Sequence, residues 1–263
     1  MSGANKLTMS SQLLTVERLA LKYQSGNGET EALKNISFSV SEGEYISIVG
    51  PSGCGKSTLL SIIAGLLEPT AGRVLLDGLP VDPASGGIGY MLQRDNLLEW
   101  RSIYKNVLLG LEIQGKLTEE SREYAITLLK NYGLYEFRDK YPAQLSGGMR
   151  QRAALIRTLA TRPRLLLLDE AFSALDYQTR LSVTDDVYRI LRKENKTTLM
   201  VTHDIPESIS MSDRVLILSR RPAVIQSVCE TTFSDDRTPL RCRGDSRFST
   251  YFNFIWKELD VHE

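Results

Sequence analysis

Residues 50–58, GPSGCGKST, have the types and spacing needed to hold a chain of phosphate groups. They fit the pattern G-x-x-x-x-G-K-[ST], in which glycines let the backbone curl so that several N–H groups point inward. Lys56 can reach the β- and γ-phosphates, and the hydroxyl of Ser57 can bind Mg²⁺. The predicted cradle consists of Gly50, Pro51, Ser52, Gly53, Cys54, Gly55, Lys56, Ser57 and Thr58.

The sequence on both sides of this phosphate loop (residues 50–58) supplies the elements that the motif requires. Residues 44–49 are apolar and β-rich enough for a buried strand, and apolar side chains recur at helical spacing between Leu59 and Leu67. The positive end of that helix adds to the attraction for phosphate. A Gly/Ser-rich turn followed by an ordinary helix is the alternative, and the correct flanks favour the nucleotide site.

Two carboxylates follow a second buried strand. Residues 164–169 form a short apolar run typical of a central parallel strand, which ends at Asp169 and is followed by Glu170. Unpaired carboxylates are costly at such a position, and Mg²⁺ resolves the problem. Asp169 can bind the ion directly or through water, while Glu170 can orient or deprotonate an attacking water. His203, one of two histidines, ends a further β-rich run and is interpreted as a contact to the γ-phosphate rather than as a structural side chain.

Three other places could contact a nucleotide. Tyr23 ends a predicted strand, where its ring could stack on adenine or simply be half-buried. Ser146 stands at a helix N-cap followed by Gly147 and Gly148, which makes either a second anion site or a plain helix cap. Gln93 provides an amide in a polar segment after a short strand.

Composition limits the classes of function. Lys plus Arg and Asp plus Glu both number 32 in the 263 residues, so no overall basic charge favours nucleic acid as a partner. No window approaches the roughly 18–20 apolar residues of a membrane span, and residues 1–6 lack a signal-peptide core. The three scattered cysteines suit a reducing compartment. These features predict a soluble, cytoplasmic protein.

The elements around the motifs predict an α/β fold. Residues 1–12 are interpreted as a loose leader, followed by two antiparallel strands whose hairpin tip is predicted at residues 24–30. Strand patterns follow at 72–77, 87–91, 197–202 and 213–228, whereas residues 103–111 and 122–130 have helical periodicity. A helical insertion into an α/β core is therefore predicted. An apolar stripe between Phe248 and Leu259 predicts a C-terminal helix, docked on its own domain or, less favoured, on a partner.

Taken together, these motifs resemble the nucleotide-binding subunits of ATP-binding cassette (ABC) transporters over almost the whole chain from about Leu13. The resemblance implies a P-loop NTPase core with a mixed central sheet, an N-terminal antiparallel β subdomain and an inserted α-helical subdomain at about 95–160. It places the ATPase domain at 13–230 and a tail with an amphipathic helix at 231–263. Residues 145–149 look like the family signature, with Met149 where many cassettes carry glutamine.

The resemblance also implies residue roles. Tyr23 would stack on adenine, Glu170 would act as base on the water, and His203 with Gln93 would sense the γ-phosphate. Ser57, Gln93 and Asp169 would hold Mg²⁺. Two cassettes would meet head to tail, so that ATP on one phosphate loop is closed by Ser146, Gly147 and Gly148 of the other chain.

Three functions compete under this resemblance: an importer subunit, a non-transport ABC ATPase of DNA repair or translation, and a binding module without activity. Long coiled-coil insertions or a second cassette are typical of the non-transport relatives, and this sequence shows neither. Leu97, Leu98 and Trp100 lie where a cassette would receive a short helix from a membrane subunit, or they belong to the subdomain core. The importer is therefore the leading interpretation, with permease subunits as direct partners, a solute-binding protein as an indirect one, and a position on the inner face of the membrane.

Residues 93–101, 106–112 and the C-terminal end look like the nitrate/sulfonate/taurine branch of importers. Relatives for bicarbonate or pyrimidine vitamin precursors belong to the same branch. The transported solute is predicted to be a small anion, and its identity is decided by the binding protein and the permease.

Overall fold

A computed structural model describes residues 12–25, 28–234 and 236–260, with the side chains of residues 25 and 260 left aside. The predicted leader, up to residue 11, lies outside these ranges. The strands within them are β1 (Gln12–Ser25), β2 (Gly28–Ser41), β3 (Tyr45–Val49), β4 (Ala71–Leu76), β5 (Leu79–Pro80), β6 (Ile88–Met91), β7 (Leu165–Asp169), β8 (Thr197–Val201), β9 (Arg214–Leu218) and β10 (Ile225–Glu230). The α-helices are α1 (Lys56–Ile63), α2 (Ile103–Ile113), α3 (Glu119–Asn131), α4 (Gly147–Ala160), α5 (Tyr177–Lys193), α6 (Ile205–Met211), α7 (Pro239–Cys242) and α8 (Ser246–Asp260).

A six-stranded sheet in the order β10-β9-β3-β8-β7-β6 forms the centre of the molecule. Its five strands from β9 to β6 are parallel, and β10 pairs antiparallel with β9. Every residue of β3, β7 and β8 is buried, which agrees with their continuous apolar sequences. Because the strands are parallel, the carboxyl ends of β3, β7 and β8 meet at one edge of the sheet, where the phosphate loop and the two acids follow.

A four-stranded antiparallel sheet, β2-β1-β4-β5, packs against this centre. The predicted antiparallel pair before the phosphate loop is confirmed, but the predicted hairpin tip is too wide. Gln24 pairs with Glu29 and Tyr23 with Thr30, so the ladder continues through residues assigned to the turn. The side-chain hydrogen bond from Gln24 to Glu29 (2.7 Å) fits this extension, and Tyr23 therefore lies inside β1 rather than at its end.

Helices α2, α3 and α4 pack together and share an apolar core with α5 and one face of the central sheet. The helical periodicity at 103–111 and 122–130 is thus confirmed. Asn106 is fully buried in this region without an energetic penalty, because its amide bonds to backbone groups of Leu98, Arg101 and Ser102. These bonds hold the turn at residues 98–102 in a fixed shape.

The C-terminal helix α8 covers α6, β9 and β10 with Ile255 at the centre of the contact. This confirms the predicted helix and its docking on its own chain, whereas Phe254 and Trp256 remain exposed. Within the described ranges, no helix combines the length and apolar character needed to cross a membrane.

Candidate functional site

The phosphate loop connects β3 to α1 at the carboxyl edge of the central sheet. Gly53 and Gly55 adopt φ values of 72° and 123°, which side chains with a Cβ rarely tolerate, so the glycines are required for this path. Helix α1 begins at Lys56 and no side chain caps it. Its first N–H groups therefore point toward the loop without a side-chain partner, as an anion site at a helix N-terminus requires.

Lys56 is the buried cation of this loop, with 7% of its surface exposed. Its Nζ donates hydrogen bonds to the carbonyl oxygens of Gly50 (2.8 Å) and Pro51 (3.0 Å). The ammonium group is thus held inside the loop by neutral acceptors and not by a carboxylate. An anionic ligand in the loop would meet a positive charge that has no ion pair within residues 12–25, 28–234 and 236–260.

Asp169 lies beside the phosphate loop and accepts two hydroxyl hydrogen bonds. Ser57 Oγ is 3.0 Å from its Oδ1, and Tyr90 donates to its Oδ2 at 3.2 Å. Burial raises the pKa of Asp169, while the hydrogen bonds from Ser57 and Tyr90 act in the opposite direction. Burial, followed by the Asp169 charge, raises the pKa of Tyr90 to about 12.

The oxygens of Ser57 and Asp169 fit a Mg²⁺ ion. Hard cations of this kind take a hydroxyl and one or two carboxylate oxygens from protein and complete their shell with water and phosphate. The buried carboxylate also gains from a nearby cation, because burial alone disfavours its charged form. The 3.0 Å distance between the two side chains shows that one ion could contact both.

Glu170 follows Asp169 in a strained backbone conformation. Its φ is 47°, which is unusual for a residue other than glycine, and its N–H is fixed to the Val201 carbonyl at 2.9 Å. Gln93 Nε2 donates to Glu170 Oε2 at 3.2 Å, and His203 Nδ1 lies 3.3 Å from the same oxygen. The three predicted residues thus meet at one carboxylate oxygen.

A cavity of about 210 Å³ opens over the phosphate loop. Glu170 and a residue absent from the sequence predictions, Arg221, lie on its wall together with loop residues. The lining consists of Ser52, Gly53, Gly55, Lys56, Ser57, Thr58, Glu170 and Arg221. Tyr23 stands beside the cavity, with its hydroxyl 3.3 Å from Thr58 Oγ1 and 39% of its surface exposed, so its ring is available to a flat group.

The signature segment (residues 145–149) does not reach this cavity. Ser146 caps α4, with the Met149 N–H donating to its Oγ at 3.4 Å. A Cβ on Gly148 would lie 2.8 Å from Thr179 Cγ2, so this glycine lets α4 and α5 approach closely. The segment is consistent with a helix cap in its own chain, and its approach to a phosphate would require a second chain.

The polar segment after Gln93 is attached to α4. Arg157 donates to the carbonyl oxygens of Asp95 and Asn96, both at 2.6 Å, and Arg150 pairs with the Asp95 carboxylate at 3.1 Å. Gln151 adds a hydrogen bond to the Gln93 carbonyl at 3.4 Å. Residues 93–96 therefore contact both Glu170 and the helix that the signature segment begins.

The predicted apolar docking patch is smaller than expected. Leu97 is 6% exposed and belongs to the core of the helical region, Leu98 is half-buried, and Trp100 is 75% exposed. Leu97 therefore belongs to the subdomain core, the alternative given for this patch, because the Asp95 side chain and the side-chain oxygen of Asn106 accept hydrogen bonds from the backbone N–H groups of 97 and 98 and turn Leu97 inward. Trp100 and nearby Leu92 remain as exposed apolar side chains.

A buried acid lies behind His203. Glu207 on α6 is 5% exposed, and its Oε1 has no hydrogen-bond partner among the described residues. Burial raises its pKa to about 7, the neighbouring Asp204 charge acts in the same direction, and Arg180 and Arg243 oppose it. Its carboxyl is part of the packing of α6 and not of the phosphate cavity.

Sequence reasoning missed Tyr90 and Arg221. Tyr90 reaches Asp169 because β6 pairs in parallel with β7, with Tyr90 opposite Leu167. The alternation in residues 87–91 marks the strand but not its neighbour. Arg221 lies in the loop between β9 and β10, which carries no recognisable motif. Only the strand order of the sheet brings these residues to the phosphate loop.

The family model and the similar known proteins agree on one family. The family model described as ABC transporter matches residues 33–173. The uncharacterized ABC transporter ATP-binding protein YtlC of Bacillus subtilis is 50% identical over 95% of this chain and 96% of its own. The taurine import ATP-binding protein TauB of Yersinia pestis is 41% identical over 81% and 82%, and the nitrate import ATP-binding protein NrtC of Synechococcus elongatus is 41% identical over 82% and 33%.

Solved structures agree with this result. A dimeric structure of the ABC transporter cassette MJ0796 has a TM-score of 0.73, 31% identity, and covers 84% of this chain and 100% of its own. A second dimeric structure of MJ0796, in a post-hydrolysis state bound to ADP and phosphate, has a TM-score of 0.72 at the same identity and coverage.

Proposed function

The chain belongs to the ABC transporter family, and we propose that it binds ATP with Mg²⁺ and hydrolyses it to power import of a small anionic solute through a separate permease. As an ABC-type ATPase it converts ATP and water to ADP and phosphate. The observation that carries the proposal is the position of Glu170 on the wall of the phosphate cavity, oriented by Gln93 and His203 at a single oxygen.

Binding of ATP rests on groups that the loop already presents. The uncapped N–H groups of α1 and the curled glycines receive the phosphates, and Lys56 exchanges its bonds to the Gly50 and Pro51 carbonyls for bonds to phosphate oxygens. Tyr23 supplies a flat surface for adenine beside Thr58. Ser57, Asp169 and, as the resemblance implies, Gln93 would hold Mg²⁺, which would supply neutralising charge for the phosphates.

Hydrolysis rests on Glu170. Its carboxylate accepts a proton from water while the water oxygen attacks the γ-phosphorus, and the bond from that phosphorus to the bridging oxygen of ADP breaks. Gln93 and His203 hold the carboxylate in place, since both lie within 3.3 Å of Oε2. Lys56 balances charge on the phosphates as the bond breaks.

We propose that two copies of the chain form the complete site. The signature segment lies outside the phosphate cavity of its own chain. The cassette MJ0796, whose whole length matches 84% of this chain, is dimeric in its solved structure. A head-to-tail pair would bring Ser146, Gly147 and Gly148 of one chain to the phosphates on the other. The N-cap geometry at Ser146 leaves α4 with its positive end toward such a partner.

Mixing two inactive variants tests the dimer. A Lys56→Ala chain lacks the phosphate contact and a Ser146→Arg chain blocks the signature, so each alone should be inactive. In a mixed dimer, one of the two sites keeps both elements, and partial hydrolysis should return on mixing. A mixture as inactive as its components, when pull-down of one chain by a tag on the other shows that mixed dimers form, would refute the shared site. Glu123→Arg, at an exposed position on α3, replaces Ser146→Arg in the control mixture.

We propose that Trp100 contacts a permease subunit. Its side chain is 75% exposed, while Asn106 holds the turn that carries it. Trp100→Ala should leave the free energy of unfolding unchanged but reduce co-purification with a membrane protein. Trp256→Ala, which removes the exposed tryptophan of α8, is the matched control. Co-purification with ribosomes or DNA in place of a permease would instead favour a non-transport ATPase.

The solute class comes from relatives. The taurine protein TauB and the nitrate protein NrtC are both 41% identical to this chain, which supports the nitrate/sulfonate/taurine branch. A pyrimidine vitamin precursor is the alternative within the branch. In this proposal the chain acts at the cytoplasmic face of the membrane, with a solute-binding protein as an indirect partner and no nucleic acid.

Stimulation of ATP hydrolysis in the reconstituted transport complex distinguishes the solutes. The complex of this chain with its co-purified permease and binding protein is reconstituted in vesicles, and ATP hydrolysis is measured with taurine, an alkyl sulfonate, nitrate or a pyrimidine. Stimulation by one of the anions supports the proposal. Stimulation only by the pyrimidine would contradict the anionic solute while leaving the importer intact.

A further inference from the structure

The loop between β9 and β10 (residues 219–224) is fixed beside the phosphate loop. The Ala223 N–H donates to the Ala32 carbonyl at 3.0 Å, and the Lys34 N–H donates to the Ala223 carbonyl at 2.9 Å. Ser219 closes the loop from within, because its N–H reaches the Val224 carbonyl and its Oγ accepts from the Val224 N–H, both at 3.0 Å. A side chain on this loop therefore starts from a backbone that is already ordered.

The start of the phosphate loop packs directly against the end of β9. A Cβ on Gly50 would lie 3.1 Å from both the Cβ and the carbonyl oxygen of Leu218. Because Leu218 is the last residue of β9, the loop that follows it emerges next to the phosphate loop. Arg221, three residues further on, lies on the wall of the cavity that also contains Lys56 and Glu170.

The Arg221 guanidinium has no hydrogen bond or ion pair with the described part of the chain. This differs from arginines with a structural role elsewhere in the protein. Arg214 binds the Glu44 carboxylate, and Arg157 binds two backbone carbonyls. A fixed backbone and a charged group without a protein partner are what a ligand-binding side chain requires.

The charge near the cavity favours an anion. Burial raises the pKa of the Cys54 thiol within the phosphate loop, and the positive charges of Lys56 and Arg221 act in the opposite direction. Arg221 is thus close enough to affect groups inside the loop. A guanidinium offers several N–H donors in one plane and matches phosphate oxygens in pairs, a geometry that the point charge of Lys56 cannot provide.

We propose that Arg221 is a nucleotide-binding residue, whose guanidinium contacts the phosphate chain of the nucleotide held on its own phosphate loop. The inference rests on the proposed function and adds a second protein cation to the site. Because the contact is made within one chain, it does not require the dimer. It contacts the phosphates from the β9–β10 side of the phosphate loop, whereas Asp169 and Glu170 follow β7 on the other side of that loop.

Nucleotide titrations of the full-length chain test this proposal. Affinities for Mg-ADP and for a non-hydrolysable ATP analogue are measured by calorimetry at a concentration where light scattering shows a monomer. Arg221→Gln should weaken binding of one or both about tenfold, because a charge-assisted hydrogen bond is lost. Arg221→Lys keeps the charge without the planar fork and should lie between Arg221→Gln and the wild type. The loss should shrink as salt is raised.

Arg220→Gln is the matched control, because Arg220 is the neighbouring arginine, is exposed like Arg221, and does not line the cavity. It should leave both affinities unchanged. The thermal midpoint without nucleotide should be the same in all four proteins, while the rise of that midpoint on adding nucleotide should be smaller in Arg221→Gln. A loss for the analogue alone assigns the contact to the terminal phosphate and supports the proposal.

The failures are distinguishable. If wild type binds both nucleotides, Lys56→Ala loses binding and Arg221→Gln binds as tightly as wild type, the inference is overturned and the proposed function stands. If Arg220→Gln weakens binding as much as Arg221→Gln, a general charge effect replaces the specific contact and the inference is also overturned. If wild type binds neither nucleotide, both the proposed function and the inference fail.

Discussion

The phosphate loop and the signature segment differ in what surrounds their polar groups. At the loop, Lys56, Asp169 and Glu170 lie together at one sheet edge, and their partners are other members of the same cavity or its rim. At the signature segment, the Ser146 hydroxyl caps its own helix through the Met149 N–H, and Gly148 is packed against α5. One region is assembled for chemistry within a chain, and the other is assembled as a helix end.

This difference shows which parts of the candidate site the fold of one chain brings together. The loop follows β3 and the acids follow β7, two parallel strands separated only by β8, so folding alone brings them together. The signature segment begins a helix in another layer, and nothing in the fold carries it to the cavity. The positions of the chemical groups therefore depend on the fold of one chain, whereas closure of the site depends on assembly in the proposed dimer.

The largest expected effect separates the two regions by chemistry. Glu170→Gln should lower steady-state hydrolysis about 10²–10⁴-fold, because the proton acceptor is lost, and nucleotide binding should remain since the loop and Lys56 are intact. Phosphate release and the nucleotide-induced rise in thermal midpoint measure the two properties. Glu123→Gln, an exposed glutamate on α3, is the control. Hydrolysis at the wild-type rate in Glu170→Gln would place the base elsewhere.

The buried carboxyl of Glu207, four residues after His203, should affect stability rather than hydrolysis. Its pKa is raised from 4.5 to about 7 in the folded state, so the contribution of the protonated carboxyl to stability is present below pH 4.5 and lost as pH rises through 7. Glu207→Gln removes this loss. The difference in free energy of unfolding between Glu207→Gln and wild type should therefore be about 3 kcal/mol more favourable to the variant at pH 8 than at pH 4.5.

Urea unfolding at both pH values measures this difference. Glu123→Gln serves again as the exposed control and should show the wild-type dependence on pH. Parallel curves for Glu207→Gln and wild type would mean that the carboxyl is ionised in the folded protein despite its burial.

Substitutions of Gly147 and Gly148 in the signature segment should differ in their effect on stability, because only Gly148 is closely packed. Gly148→Ala should lower the free energy of unfolding by about 1–3 kcal/mol, because the new methyl group would lie 2.8 Å from Thr179. Gly147→Ala has only an ordinary contact of 3.6 Å to Leu175 and should change stability by less than about 0.5 kcal/mol. Urea unfolding of the two variants makes the measurement, and equal losses would contradict the close packing at Gly148.

The smallest expected effect compares two tyrosines. Tyr90 donates to Asp169, and Tyr124 donates to Glu194 at 3.4 Å in the helical region; burial raises the pKa of each to about 12. Tyr90→Phe should raise the Mg²⁺ concentration for half-maximal hydrolysis about fivefold, since one hydrogen bond that orients Asp169 is lost.

Tyr124→Phe loses a comparable hydrogen bond far from the cavity and should leave the Mg²⁺ dependence unchanged. Titrations of hydrolysis with Mg²⁺ measure both variants. If Tyr124→Phe shifted the Mg²⁺ requirement as much as Tyr90→Phe, the hydroxyl at residue 90 would have only a general structural role.

Much of the fold was predictable because local patterns determine it. The fully apolar run of β7 and the change to helical period after β6 are properties of neighbouring residues, and both predictions are confirmed. The hairpin tip was placed wrongly, since Gln24 and Glu29 are polar residues typical of turns but are held in the ladder by their mutual hydrogen bond.

The site was predictable only where a residue follows a motif. Asp169 and Glu170 are marked by the strand that they end, but the donor Tyr90 depends on which strand lies next to β7. Arg221 depends on the packing of the β9 end against Gly50. Sequence alone allowed Leu97, Leu98 and Trp100 either at the surface or in the core, because apolar neighbours look alike, whereas the hydrogen bonds of Asp95 and Asn106 decide which of them turns inward.

The attachment of residues 93–96 to α4 has a thermodynamic consequence. The same short segment contacts the Glu170 carboxylate through Gln93 and binds Arg157 of α4 through its backbone carbonyls. It also leads directly to the exposed Trp100. If a partner on Trp100 favours one position of this segment, it changes the free energy of ATP binding, and by reciprocity ATP must change the affinity for that partner by the same factor. ATP binding and partner binding would thus be coupled in both directions through residues 93–96 and Trp100.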